Sequence, residues 1–143
     1  MYKLDYDSSI PLFEQIEQKT RFAIATGEFP EGKIIPAVLE VARAATINHL
    51  TVFKAYRHLT DEGLLSPTRG VGFLVVEGAK RRCEKFRQEF FVKRLEDTLN
   101  DGKSGGLSLE KMREMFEIAL ERVATTTAQT NNSQPGTEND KNE

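Results

Sequence analysis

Apolar positions recur at intervals of three and four between residues 37 and 65, and the rhythm breaks once, at Thr46-Ile47-Asn48. Val38, Val41, Ala42 and Ala45 fall on one face of a short helix. Val52, Ala55, Tyr56 and Leu59 form the inward stripe of a second helix from about His49 to Glu62. Gly63 then stops the helix, because glycine takes a positive φ without a Cβ clash. Two helices this short cannot bury both faces on each other. Something must cover their backs and leave the outer face of the second one free. That is the logic of a helix-turn-helix, whose second helix lies in the DNA major groove.

The rest of the pattern extends this reading. Leu64-Leu65-Ser66 and Phe73-Leu74-Val75-Val76 flank Pro67-Thr68-Arg69-Gly70-Val71-Gly72, two apolar runs around a Pro/Gly loop, which predicts a hairpin. A hairpin directly after the second helix is a wing, and an Arg-Gly tip can approach a minor groove closely. Upstream, residues 3–7 alternate as a short strand would. Ser8 or Ser9 is expected to cap a helix opened by Pro11 and ended by Gly27. Its face of Leu12, Phe13, Ile16, Ala23 and Ile24 would cover the back of the helix-turn-helix, and Phe22 falls off that face. Pro30, Gly32 and Pro36 mark a loop.

Downstream, residues 79–100 read as a long helix with two apolar stripes, Cys83, Phe86 and Phe90 on one, Phe91, Val92, Leu95 and Leu99 on the other. A surface helix needs one apolar face, so one side is expected to pack within the chain and the other against a partner copy. Residues 101–106 predict a turn, and Ser108 a cap for a last helix to about Ala124, with Leu109, Met112, Phe116, Ala119 and Val123 as a short seam. Two such helices from each of two chains make a four-helix dimer unit, with Phe86, Phe90, Phe91, Leu95, Leu99, Met112, Phe116 and Val123 at the interface. The alternative is an intramolecular hairpin that covers the winged helix. Residues 125–143 have almost no apolar side chain and are expected to be disordered. The predicted architecture is mainly α with a small β wing: a winged helix-turn-helix at 1–78, a helical dimerisation segment at 79–124, and a tail at 125–143.

Charge complicates the picture. Residues 1–79 carry 8 Lys and Arg against 10 Asp and Glu, whereas DNA-binding domains are usually basic. Binding would rest on local placement of Lys54, Arg57 and Arg69, with Arg57 more simply a partner for Asp61 one helical turn on. One cysteine in 143 residues rules out a disulfide within the chain and fits a reducing cytoplasm. The N-terminal MYKLDYDSS lacks the apolar core of a signal peptide, and no apolar run is long enough to span a bilayer.

The ordered set Pro11-Leu12-Phe13-Glu14-Gln15-Ile16, Ile24-Ala25-Thr26-Gly27-Glu28-Phe29-Pro30-Glu31-Gly32, Ile35-Pro36, Thr51 to Leu59, Glu62-Gly63-Leu64 and Arg69-Gly70-Val71-Gly72 resembles the N-terminal domain of GntR-family bacterial transcription regulators. The short remainder most resembles the YtrA subfamily, which adds only a small helical dimerisation segment. The resemblance implies DNA contacts from Asn48, His49, Leu50, Thr51, Phe53 and Lys54, and from Arg69, Gly70 and Gly72 of the wing. It implies a cytoplasmic homodimer on double-stranded DNA, acting as a repressor, with no cofactor and no membrane partner; whether a small-molecule effector binds is left open.

The sequence also departs from the family pattern. Leu39 stands where an arginine usually contacts DNA, Ala37 where serine is common, Thr46 where the turn often has glycine, and Val71 where the wing is often basic. Leu50 and Phe53 replace residues that are often polar or small. Two readings follow: a regulator with a thymine-rich site, since apolar groups touch thymine methyls, or a winged-helix interaction module that has lost DNA binding and uses Leu39, Leu50 and Phe53 as its surface. Enzyme readings find little. His49 and His58 lie nine apart on one helix with no cysteine nearby, a spacing unsuited to metal. Cys83 sits in an apolar stripe as a core residue would. The wing glycines do not follow a phosphate-binding motif.

Overall fold

The computed structural model of the chain describes residues 2–131. They divide into two compact units, separated between Lys93 and Arg94. In the first, helices α1 (Leu12–Thr26), α2 (Val38–Ala45) and α3 (His49–Asp61) are followed by strands β1 (Leu65–Thr68) and β2 (Gly72–Val75) and the start of α4 (Ala79–Ser104). The strands pair antiparallel, Leu65 opposite Val75 and Thr68 opposite Gly72. The fold is therefore mainly helical with a two-stranded wing, as the periodicity predicts.

The core joins the inward stripes of all these elements: Ile16 and Ile24 of α1, Val41 and Ala42 of α2, Val52, Ala55, Tyr56 and Leu59 of α3, Leu65 and Val75 of the wing. Tyr56 is the largest fully buried side chain. Burying a phenol requires a partner for its hydroxyl. Tyr56 donates to the Pro36 carbonyl at 2.8 Å and lies 3.2 Å from the Tyr2 hydroxyl, which is 2.7 Å from Thr20 Oγ1. Burial raises the pKa of both phenols above the ordinary tyrosine value. The loop before α2 also contributes. Ile35 N–H donates to Phe73 O and Val75 N–H to Lys33 O, so residues 32–35 lie along β2 as a partial third strand.

Several local expectations are corrected. Residues 3–7 form no strand, because Gln15 satisfies that backbone: its amide accepts from Asp5 N–H and donates to the carbonyls of Asp5 and Ile10. Pro11, not Ser8 or Ser9, occupies the α1 N-cap, and Ser8 Oγ accepts instead from Ile10 N–H. Phe22, off the face that covers the helix-turn-helix as expected, packs on another segment: its ring meets Phe90 edge-on at 5.7 Å.

The unit boundary moves as well. Ala79 and Cys83 of α4 lie in the first core, and Phe86 lies under Arg21, whose guanidinium is 4.7 Å from the ring centroid. The first four turns of α4, including the expected interface residues Phe86 and Phe90, thus pack within the winged unit rather than beginning at 79 a separate segment. Arg21 also pairs with Glu17 on α1 at 3.8 Å and with Glu62 at the α3 C-cap.

In the second unit, α4 runs on to Ser104 through the expected turn, and the reversal is confined to Gly105 and Gly106. Gly102 is helical. A Cβ there would stand 2.7 Å from Met112 Sδ, so this glycine serves close helix packing rather than a turn. Ser108 caps α5 as expected, its Oγ accepting from Lys111 N–H at 3.1 Å. Helix α5 spans Leu109–Asn131, seven residues into the stretch expected to be disordered. Thr125, Thr126 and Thr127 hydroxyls donate to the carbonyls four residues back, the bond that threonine makes within a helix. The remainder of that predicted tail, residues 132–143, lies outside the described residues. Met112 is buried here, whereas Leu99, Leu109, Met115, Phe116, Ile118, Leu120 and Val123 are exposed. An apolar cleft of about 510 Å³ opens between the helices, lined by Leu95, Leu99, Leu107, Met112, Met115 and Phe116 among others.

Candidate nucleic-acid interface

The turn between α2 and α3 sets the interface. Thr46 closes α2 in the left-handed region, φ 54 and ψ 48, its N–H shared by the Ala42 and Arg43 carbonyls. Ile47 N–H returns to Ala42 O at 3.0 Å. Asn48 then caps α3: its side chain accepts from Leu50 N–H at 2.9 Å. The capping preference of asparagine is the signal that identifies this role, which the resemblance alone assigns to DNA. The cap uses the carbonyl oxygen, so the amide NH2 is still directed by the same turn.

The first two turns of α3 expose His49, Leu50, Phe53 and Lys54, and leave Thr51 half-buried. Leu50 is 60% exposed and Phe53 44%. Lys54 does not stand free over this surface: its ammonium lies 3.7 Å from the centroid of the Phe13 ring on α1, a cation–π contact. Arg57 pairs with Asp61 at 3.7 Å in a solvated ion pair, the simpler of its two expected roles. His58 contacts Glu17 through Nδ1 and meets Phe13 edge-on, so the two histidines serve different surroundings. Among the described residues no group of three His, Cys, Asp or Glu is arranged to hold a metal ion.

At the wing, Val71 N–H closes a turn on Thr68 O at 3.0 Å, and Gly70 takes φ 74 at its third position, where glycine is favoured. Gly72, φ 139, passes 3.4 Å from Ile34 Cγ2 as measured from a Cβ position. Both glycines therefore shape the tip. Arg69 and Val71 are left outside the core at that tip. On α2, Leu39 is 63% exposed. It shares a shallow depression with Ala42, Arg43, Ile47, Asn48 and His49. Arg43 is not among the expected contacts, yet it brings an exposed cation to the same surface; its place in the last turn of α2 is the signal for it.

Residues 12–75 match the sequence profile of the bacterial regulatory proteins of the gntR family. The chain is 32% identical to the HTH-type transcriptional repressor YtrA of Bacillus subtilis (strain 168) over 117 residues, 82% of this chain and 90% of that one. The chain belongs to the GntR family. It is a GntR-family transcription regulator with a winged-helix DNA-binding fold, and its relatives are regulators rather than enzymes. Among solved structures, a GntR family regulator from Listeria monocytogenes superposes with a TM-score of 0.68 at 26% identity, covering 78% of this chain and 97% of that one. YtrA from Sulfolobus acidocaldarius shares the fold at a TM-score of 0.51 and 24% identity, covering 86% and 99%. No described helix of this GntR-family chain is long and apolar enough to cross a membrane.

Proposed function

We propose that this GntR-family chain is a cytoplasmic homodimeric repressor that binds a two-fold operator in double-stranded DNA. Each α3 would enter a major groove by its first two turns, and each wing would set Arg69 in or beside the adjacent minor groove. The observation that carries the reading is the start of α3: an Asn48-capped helix whose outward side chains from His49 to Lys54 are excluded from the core while its inward stripe is fully buried. Asn48, His49, Leu50, Thr51, Phe53, Lys54, Arg69, Gly70 and Gly72 remain the proposed contact set, with Gly70 and Gly72 acting through the shape of the tip and Lys54 through its position on Phe13. Exposed Leu99, Leu109, Phe116 and Val123 support a helical dimer unit, because a lone helical hairpin would leave this apolar surface in water. Leu95 and Met112 would line it, and Phe91, also exposed, would extend it along α4. The relative YtrA is a repressor by name, which supports that direction of control.

The test is selection from a random duplex pool at low salt, with wild type beside a Thr51→Ala, Lys54→Ala, Arg69→Ala variant. Wild type is expected to enrich a near-palindrome with half-sites about 10 bp apart or a multiple of that. Sedimentation of the same protein should give a dimer. A folded monomer, or a folded dimer that enriches nothing, refutes the reading.

A further inference from the structure

Beside the exposed His49 imidazole and the Asn48 amide NH2, the start of α3 presents a surface of exposed carbon. Asn48 gives its carbonyl oxygen to the helix cap, Thr51 is half-buried, and Lys54 is drawn onto the Phe13 ring. Leu50 and Phe53, three residues apart, share one face of the helix and are the large exposed apolar side chains there. The apolar group that a base pair offers in the major groove is the C5 methyl of thymine. We infer that Leu50 and Phe53 are specificity-determining residues that read thymine methyls, so that each half-site is defined at α3 by its thymines. The inference rests on the proposed entry of α3 into the major groove. Charge favours DNA as the occupant of this face: Arg43 is exposed beside Asn48 and His49, Arg69 is exposed at the wing tip, and the residues to Lys93 that form the winged unit hold 14 Lys and Arg against 12 Asp and Glu, so α4 reverses the acidic balance of residues 1–79.

The experiment uses the full chain and its selected duplex, with each thymine replaced in turn by deoxyuridine, which removes only the methyl group. Wild type, Leu50→Ala and Phe53→Ala are compared by titration, after thermal melts show that all three fold. Both positions are exposed, so folding is expected to survive. At one or two thymines per half-site, deoxyuridine should weaken wild type about fourfold per methyl, and about 15-fold when both half-sites are changed. The variant lacking the reading side chain should bind the two duplexes equally. If deoxyuridine is neutral at every position of a duplex that wild type binds, the inference is overturned and the DNA-binding regulator stands. If alanine weakens thymine and deoxyuridine duplexes by the same factor, that side chain does not read the methyl. If the folded wild type enriches no duplex at all, the DNA reading fails first, and this inference with it; the apolar face then belongs to a protein partner.

Discussion

Thr46 is the one residue other than glycine with a positive φ among the described residues, and its replacement tests how the helix-turn-helix is held. The left-handed region costs an L-residue roughly 1–2 kcal/mol, because Cβ crowds the following carbonyl. Thr46 accepts that cost to end α2 and aim α3: its N–H and that of Ile47 together take up the Ala42 and Arg43 carbonyls. Its side chain is exposed. Thr46→Gly removes the crowding but loosens the unfolded chain, which costs about 0.4–1 kcal/mol. The net expectation is a gain of about 0.5–1 kcal/mol, equivalent to about 2–5 °C in Tm for a chain of this size. Thr46→Ala keeps the positive φ and should gain nothing. The assay is a thermal melt followed by circular dichroism, with all variants at one protein concentration because association shifts Tm. A glycine variant no more stable than wild type would refute the strain argument. So would an alanine variant that gains as much as glycine.

Three further outcomes follow from the same geometry. Arg69→Ala should weaken operator binding across sequences and reduce the magnitude of the slope of log K against log salt by about 1 for each phosphate no longer neutralised, measured by titration at several salt concentrations. Burial pushes the Cys83 thiol up to about 11 from its ordinary value of 9.0. The unfolded thiol therefore ionises first as pH rises, and the stability this buried neutral group contributes, complete below about pH 9, should fall through pH 11; Tm against pH should be flatter in that window for Cys83→Ala. Gly102→Val places a branched carbon where Met112 Sδ already stands, and should cost about 1–3 kcal/mol and shift the sedimentation of the chain if the second unit carries the dimer contact.

The helix-turn-helix and wing were legible because their signals are local and agree with each other. Four inward residues of α3 at helical spacing, a stop at Gly63 and a Pro/Gly loop between apolar runs leave few alternatives, and all four residues are buried. Elements whose fate depends on distant partners were not legible in the same way. Gly102 reads as a turn residue until Met112 is seen against it. Residues 3–7 read as a strand because the amide of Gln15, ten residues on from Asp5, is not visible as their hydrogen-bond partner. Phe86 and Phe90 carry the periodicity of an interface whether the partner is α1 or another chain. The exposure of the proposed contact residues was legible, their chemistry less so. The exposure of Leu50 and Phe53 follows from the α3 stripe, whereas the stacking of Lys54 on Phe13 follows from where α1 crosses α3.

Arg21 meets Glu17 on its own helix, Glu62 at the end of α3 and Phe86 on α4. One guanidinium is therefore shared by three elements. Energies measured by changing Glu62 or Phe86 singly will not sum, because each change also alters what Arg21 does for the other. A lysine at 21 would keep the charge but lose the planar fork that lets one side chain serve a carboxylate and a ring together. Positions 21, 62 and 86 thus form a single unit of substitution. In related sequences they are expected to vary as a set, so a homologue that has lost the arginine should also differ at the other two.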